Sequence, residues 1–103
     1  MSFQTLAKPN ITGFTIYSKK KCKYCDMVTD LLEANRIHYI VTKCDQYLEE
    51  DVVDDFLDAM ERLTGKSVSK FPIVFKNGVF IGGYKETKEA VEKSKIISDD
   101  CDF

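Results

Sequence analysis

Apolar residues follow two kinds of spacing along this chain, and the two kinds alternate. Short runs of aromatic and β-branched residues are typical of buried strands, whereas apolar residues three or four positions apart are typical of helices with one buried face. The runs predict four strands, at residues 14–17, 38–42, 71–75 and 79–81. The helical spacing predicts three helices, one directly after the first strand, one over residues 45–64 and one over residues 84–95.

Particular residues indicate where several of these elements begin and end. The first helix is expected to stop at Asn35, and the second to be capped by Asp45 and to end at Gly65. The buried face predicted for the second helix is Leu48, Val52, Phe56, Met60 and Leu63. Asn77-Gly78 between two apolar runs is a strong hairpin signal, so the last two strands are expected to be antiparallel. A strand, a helix and a strand within about 30 residues predict a parallel pair with a right-handed crossover.

Composition bounds the kind of protein without identifying it. The 103 residues are enough for one domain, with residues 1–13 as an N-terminal extension and residues 96–103 as a C-terminal tail. The net charge of −2 favours neither nucleic acid nor a membrane surface as a partner. The sequence contains no run of about 20 apolar residues, so no transmembrane helix is predicted. No apolar leader is visible either, and a cytoplasmic location is therefore expected.

Two cysteines three positions apart, Cys22 and Cys25, join the first strand to the first helix. Side chains at positions i and i+3 of a helix face the same way, within reach of a disulfide. The first cysteine lies where backbone N–H groups have no helical partner and where the helix dipole favours a thiolate, which is the reactive form. Four lysines add positive charge around it, at positions 19, 20, 21 and 23. This arrangement predicts a catalytic dithiol with Cys22 as the reactive residue.

Other interpretations of the cysteines stay open at this point. A Cys-x-x-Cys pair is half of many zinc sites, with His38, Cys44 and Cys101 as further candidate ligands, but the chain has no second closely spaced pair. A structural disulfide is typical of cysteine-dense secreted chains, which this one is not. His38 is expected at a strand edge or on the surface. Cys44 is expected either as core packing or as an accessory redox thiol, and Cys101 as unreactive because aspartates surround it.

The order of elements around this cysteine pair resembles the thioredoxin fold, and the motifs resemble those of glutaredoxin. Lys19 stands three residues before Cys22, and Tyr24 occupies the tyrosine position of the family's Cys-Pro-Tyr-Cys. The family's Val-Pro and Gly-Gly motifs correspond to Phe71-Pro72 and Gly82-Gly83. The resemblance covers residues 14 to 95. It implies an α/β fold of βαβαββα order, with a four-stranded mixed sheet in the order 2-1-3-4, helices on both faces, and a cis peptide bond before Pro72.

The resemblance also implies a function, that of a glutathione-dependent thiol–disulfide oxidoreductase. In such an enzyme Cys22 is the nucleophile and Cys25 is the resolving thiol. The residues implied to bind glutathione are Lys19, Tyr24, Phe71, Pro72, Gly83, Tyr84 and Glu86. Glutathione is the reducing co-substrate, no metal is expected, and the expected partners are disulfide-containing or glutathionylated proteins, ribonucleotide reductase among them. The chain is expected to act as a monomer.

Two departures from the family pattern keep other functions open. Lys23 replaces the proline between the cysteines, and this change leaves open an iron–sulfur carrier in which Cys22 of two chains and glutathione hold a cluster. Lys85-Glu86 stands where the family has two acidic residues, and Lys85 cannot meet the ammonium group of glutathione. This second departure leaves open a thioredoxin-like electron donor that is reduced by a flavoprotein reductase.

Overall fold

The computed structural model describes residues 8–101, with side chains through residue 93. Within that part of the chain every predicted strand and helix is present, in the predicted order. The strands β1, β2, β3 and β4 span Phe14–Ser18, Tyr39–Lys43, Ile73–Lys76 and Val79–Gly82, and the helices α1, α2 and α3 span Lys23–Ala34, Val53–Thr64 and Tyr84–Cys101. Residues 1–7 of the predicted N-terminal extension and residues 102 and 103 of the predicted tail lie outside the described residues.

The four strands form one mixed sheet in the order β2-β1-β3-β4, which confirms the predicted order. β1 pairs in parallel with β2, so that Phe14 lies opposite Tyr39, and it pairs antiparallel with β3. β3 and β4 form the predicted hairpin, whose turn residues Asn77 and Gly78 have φ angles of 53° and 84°. Both angles lie in the left-handed region, which asparagine and glycine tolerate better than other residues.

Each face of the sheet carries its own hydrophobic cluster, because side chains alternate along the strands. On β3, Ile73 and Phe75 belong to one cluster, whereas Val74 belongs to the other. α2 closes the first cluster with Phe56 and Met60. α1 and α3 close the second with the buried side chains of Val28, Leu32 and Val91. Helices therefore cover both faces, as the resemblance implied. None of the helices in the described part of the chain combines the length and the apolar character of a membrane-spanning segment.

The second helix begins later than predicted. The apolar spacing indicated a helix from Asp45, but Asp45–Tyr47 form a short 3-10 turn and α2 begins only at Val53. Tyr47 stacks on Phe56, with the ring centroids 5.9 Å apart. Nine positions apart on one continuous helix, the two residues would lie about 13 Å apart along the axis and on opposite faces. The break in the helix is therefore what lets both rings enter the same cluster.

The other helix ends follow local signals where such signals exist. Asn35 follows α1, and Gly65, with a φ of 77°, ends α2, both as predicted. The predicted end of the third helix at residue 95 is wrong, because α3 continues to Cys101 through much of the predicted tail. No glycine or proline follows Tyr84, so no strong stop signal interrupts the helix. The side chain of Cys101 lies outside the described residues, and His38 is exposed just before β2, as predicted.

Phe56 is fully buried between two aromatic rings, and its centroid lies 5.9 Å from those of both Tyr47 and Phe71. We expect Phe56→Ala to lower the free energy of unfolding by about 3–5 kcal/mol, because it removes a buried ring and leaves a cavity. Val79→Ala is the control, since Val79 is 65% exposed, and should lower it by less than about 1 kcal/mol. Urea denaturation measures both values. Equal losses in the two variants would contradict the core role of Phe56.

Candidate active site

The two cysteines lie at the turn between β1 and α1, as the sequence predicted. Cys22 directly precedes α1 in an extended conformation, with a φ of −111°, and its sulfur accepts a hydrogen bond from the backbone N–H of Cys25 at 3.2 Å. A disulfide joins the two residues, whose Cα atoms are 5.2 Å apart. Cys22 is partly exposed, whereas Cys25 is only 3% exposed. Cys22 is therefore the more accessible of the two to an external thiol or disulfide.

Residues just after β2 hold this turn from the side. The backbone N–H of Cys44 donates to the carbonyl of Ser18 at 2.8 Å, and the carboxylate of Asp45 accepts from the backbone N–H of Lys20 at 2.9 Å. Lys21 then adopts a φ of 53°, a left-handed conformation that is uncommon for residues other than glycine. These contacts fix the path of the chain into α1.

This contact was not predicted from the sequence, where Asp45 was expected to cap the second helix. The feature that could have indicated the contact is the parallel pairing of β1 with β2. Ser18 pairs with Lys43 at the ends of these strands, and Lys20 and Asp45 each follow two residues later. Because the two strands are parallel, the residues that follow them lie at the same end of the sheet. The backbone N–H of Lys20 and the carboxylate of Asp45 are therefore within hydrogen-bonding distance.

Cys44 is packed in the core instead of facing the groove or the turn. It is fully buried, and its thiol donates weakly to the carbonyl of Thr42 at 3.6 Å. Burial raises the pKa of this thiol to about 12, and the charge of Asp45 adds to the rise. A buried, neutral thiol supports the core-packing interpretation. Over the described part of the chain, no group of three or more histidine, cysteine or acidic side chains is placed to hold a metal ion.

A groove of about 350 Å³ opens beside the cysteine pair. Its walls bring together six of the seven residues predicted to contact glutathione, namely Tyr24, Phe71, Pro72, Gly83, Tyr84 and Glu86. The seventh, Lys19, lies over the ring of Phe71 with its ammonium nitrogen 5.8 Å from the ring centroid. Five further lining residues were not among the predicted contacts, and these are Val68, Lys70, Phe80, Gly82 and Lys85.

Aromatic rings and one cis peptide shape this groove. Tyr24 is 54% exposed and faces Tyr84, with the ring centroids 6.0 Å apart. The peptide bond between Phe71 and Pro72 is cis, as the resemblance implied. Tyr24 stands between the two cysteines in the chain, so the groove and the reactive pair share one boundary.

Glu86 lines the groove and caps α3. Its carboxylate accepts a hydrogen bond from the backbone N–H of Gly83 at 2.9 Å, and this bond lowers the pKa of the carboxyl group. Gly82 has a φ of 131°, and a Cβ there would lie 2.6 Å from the Glu86 side chain, so the turn requires glycine. The N–H of Gly83, predicted as part of an anion site for glutathione, is thus already bonded within the chain.

This fold and this site together define a dithiol protein of the thioredoxin-like class. A sequence model of the glutaredoxin family matches residues 14–81. The matched segment includes both cysteines and the cis peptide before Pro72. The chain belongs to the glutaredoxin family.

Two solved structures show the same fold with related sequences. Glutaredoxin 1 from Francisella tularensis, complexed with cacodylate, is 27% identical with a TM-score of 0.67, over 78% of this chain and 92% of that one. The buckwheat glutaredoxin–glutathione complex is 29% identical with a TM-score of 0.65, over 86% of this chain and 76% of that one. Both likenesses extend over most of the described residues.

A curated relative corrects the expected location. Mitochondrial glutaredoxin-2 from Bos taurus is 32% identical over 82 residues, which are 80% of this chain and 49% of the relative. The chain thus spans about half the length of the curated relatives it matches. The prediction of a cytoplasmic location is wrong on this comparison, because the relative is a mitochondrial protein. An apolar leader is a signal for secretion and does not discriminate between the cytoplasm and mitochondria, since mitochondrial targeting segments are amphipathic and Arg-rich.

Asp45 is expected to hold the turn before Cys22 through its bond to the backbone of Lys20. Asp45→Ala should speed hydrogen exchange of the Lys20 amide about fivefold, because the lost bond contributes about 1 kcal/mol. Asp45→Asn keeps an acceptor oxygen and should retain most of the protection. NMR-detected exchange measures both variants, with the Gly65 amide, bonded to Glu61, as an internal control. Unchanged exchange at Lys20 in Asp45→Ala would contradict this role.

Glu86→Gln should lower the melting temperature at neutral pH, because it removes a charged acceptor that contributes about 0.5–1 kcal/mol at the start of α3. A carboxyl group whose pKa is lowered by folding stabilises the protein above its ordinary value of 4.5 and loses that contribution as the pH falls through the folded value. The difference in melting temperature between wild type and variant should therefore be largest near neutral pH and should narrow in acid.

The matched control for this measurement is Glu89→Gln, which removes the same charge from an exposed position further along α3. Thermal unfolding of all three proteins across the acid range gives the comparison. The capping role of Glu86 is rejected if the difference in melting temperature between wild type and Glu86→Gln stays constant from neutral to acid pH. It is also rejected if Glu89→Gln shows the same pH-dependent difference.

Proposed function

We propose that this chain is a glutathione-dependent thiol–disulfide oxidoreductase that acts on protein disulfides and on glutathione mixed disulfides. The observation that carries the proposal is the unequal exposure of the two cysteines. Cys22 is partly exposed at the start of α1, and Cys25 is buried directly behind it. A nucleophile needs access to the substrate, whereas a resolving thiol needs only to reach the first sulfur. Membership of the glutaredoxin family supports the same assignment.

The position of Cys22 supports its role as the nucleophile. Its sulfur accepts a hydrogen bond from a backbone N–H of α1, and the positive end of the helix dipole lies at the same place. Both interactions are stronger for a thiolate than for a thiol. The charged, reactive form is therefore favoured at this position.

On a glutathionylated protein, the Cys22 thiolate attacks the sulfur of glutathione. A bond forms between Cys22 and glutathione, the disulfide between glutathione and the protein breaks, and the protein thiolate leaves and takes a proton from solvent. The thiolate of a second glutathione then attacks the glutathione sulfur held on Cys22. This step releases oxidised glutathione and returns the Cys22 thiolate.

On a protein disulfide, Cys25 completes the reaction. The Cys22 thiolate forms a mixed disulfide with one protein sulfur and releases the other, which takes a proton from solvent. Cys25 then loses its proton to solvent and attacks Cys22, which releases the second protein thiol and leaves the Cys22–Cys25 disulfide. Two glutathione molecules reduce this disulfide and leave as oxidised glutathione. The Cα–Cα separation of 5.2 Å supports this closure, since it is ordinary for a disulfide.

Glutathione is proposed to lie in the groove with its sulfur toward Cys22. Lys19 pairs with a carboxylate of glutathione, and the backbone of Phe71 bonds to its peptide portion. Pro72 and the exposed ring of Tyr24 form the walls beside its cysteine. A glutaredoxin from buckwheat that shares this fold forms a complex with glutathione, which supports the assignment.

The γ-glutamyl end of glutathione is proposed to meet the start of α3. Its carboxylate binds at Tyr84 and beside Gly83, where the positive end of the helix dipole favours an anion. Its ammonium group meets the oxygen of Glu86 that does not bond to Gly83. Lys85 also lines the groove and does not contribute to binding the ammonium.

Incubation of Cys25→Ser with oxidised glutathione should give a single glutathione adduct, because Cys22 can attack but no second thiol resolves the product. Intact-protein mass spectrometry measures the adduct, and peptide mapping assigns it to Cys22. Cys22→Ser is the matched control, and it should carry no adduct at Cys25, which is buried.

Failure of Cys25→Ser to form an adduct would reject the glutathione-dependent activity. In that case a coupled assay with thioredoxin reductase distinguishes the remaining candidate. Reduction of the wild-type disulfide by the reductase would establish the thioredoxin-like donor, which the cationic Lys85 in the groove favours.

A further inference from the structure

Six exposed lysines surround the active site of a chain whose net charge is −2. They are Lys19, Lys20, Lys21, Lys23, Lys70 and Lys85. The remainder of the chain must therefore be more acidic than the net charge suggests. Positive charge is therefore concentrated around the reactive cysteine, which indicates that the active site binds a negatively charged ligand or substrate.

The six lysines divide into two groups by position. Lys70 and Lys85 line the groove, and Lys19 lies over the ring of Phe71 in its wall. The other three do not line the groove but lie on the turn before Cys22 or at the first position of α1. We name them the turn lysines, and they are Lys20, Lys21 and Lys23.

Glutathione does not account for the turn lysines. It carries two carboxylates and one ammonium at neutral pH, and the contacts proposed above at Lys19 and at the start of α3 already meet both carboxylates. Acidic neighbours do not balance them either. Asp26 lies in the first turn of α1, and the carboxylate of Asp45 accepts from the backbone N–H of Lys20. These two carboxylates compare with four ammonium groups, those of Lys19 and the three turn lysines, so positive charge is in excess.

We propose that the turn lysines form a docking surface for the protein half of the substrate and select cysteines that are flanked by acidic residues. This inference rests on the proposed function. When Cys22 attacks a glutathionylated protein, glutathione occupies the groove, so the protein half must lie on the side of Cys22 that the groove leaves free. The turn lysines do not line the groove, and they stand next to Cys22 in the chain. The protein thiolate that leaves is also negative, so positive charge there favours both docking and departure.

The charges are close enough to act at ordinary ionic strength. The screening length is about 8–10 Å at physiological salt, and the turn lysines are one or two residues from Cys22 in the chain. Electrostatic steering of this kind raises association rates by about tenfold or more and falls steeply with added salt. The selection should therefore appear in kcat/KM and should disappear at high salt.

The test uses three glutathionylated peptides that differ only in the residues flanking the cysteine, which are acidic, neutral or basic. Wild type should reduce the acidic peptide with a kcat/KM about tenfold above that for the basic peptide at low salt. In the triple variant Lys20→Gln, Lys21→Gln, Lys23→Gln this ratio should fall to about twofold or less. The ratio cancels any change in the reactivity of Cys22, because all the peptides meet the same nucleophile.

The matched control replaces three exposed lysines away from the turn, Lys8, Lys88 and Lys93, with glutamine. It makes the same change in net charge and should keep the wild-type ratio. A wild-type ratio near one overturns the proposal, and so does an equal loss of selection in the control, because net charge then explains it. Both results leave the proposed function intact, since all the peptides are still reduced. No turnover of any peptide would overturn both.

Discussion

The sulfur of Cys22 accepts a hydrogen bond from the backbone N–H of Cys25, a group at the start of α1 that has no helical partner. One atom thus caps the helix and, in the proposed chemistry, attacks the substrate. A thiolate is the stronger acceptor, so the cap favours the form of the sulfur that the reaction needs. The same geometry places residue 22 outside the helix and residue 25 inside it. This difference is why one cysteine is accessible and the other is buried.

The cap depends in turn on parts of the chain that are distant in sequence. The corner after β2 fixes the turn before Cys22 through the carboxylate of Asp45. The groove wall is formed in part by Phe71, which stacks on Phe56 and through it on Tyr47. The groove is therefore continuous with the core between the sheet and α2. A change in that core alters the shape of the groove as well as the stability of the fold.

Local signals predicted most of the fold, because most of its elements are set locally. Apolar runs, the hairpin dipeptide and Gly65 each act over a few residues, and they located the strands, the hairpin and the end of α2. The start of α2 depends on Tyr47 reaching Phe56, a contact that apolar spacing does not encode. In the site, motifs located the cysteine pair and most of the groove walls. Asp45 was missed because its contact with Lys20 spans 25 positions and exists only once two strands pair.

Positive charge at this site has two separable effects that the net charge of −2 conceals. The lysines beside Cys22 stabilise its thiolate, and this effect is the same for every substrate. Docking instead depends on the charge that each substrate brings, so it changes the order of preference among substrates without changing the nucleophile. Lys23, which replaces the family's proline, contributes to both effects because it stands directly after the reactive sulfur. Under the proposed docking, a change at this one residue therefore alters both the reactivity of Cys22 and the order of preference among substrates.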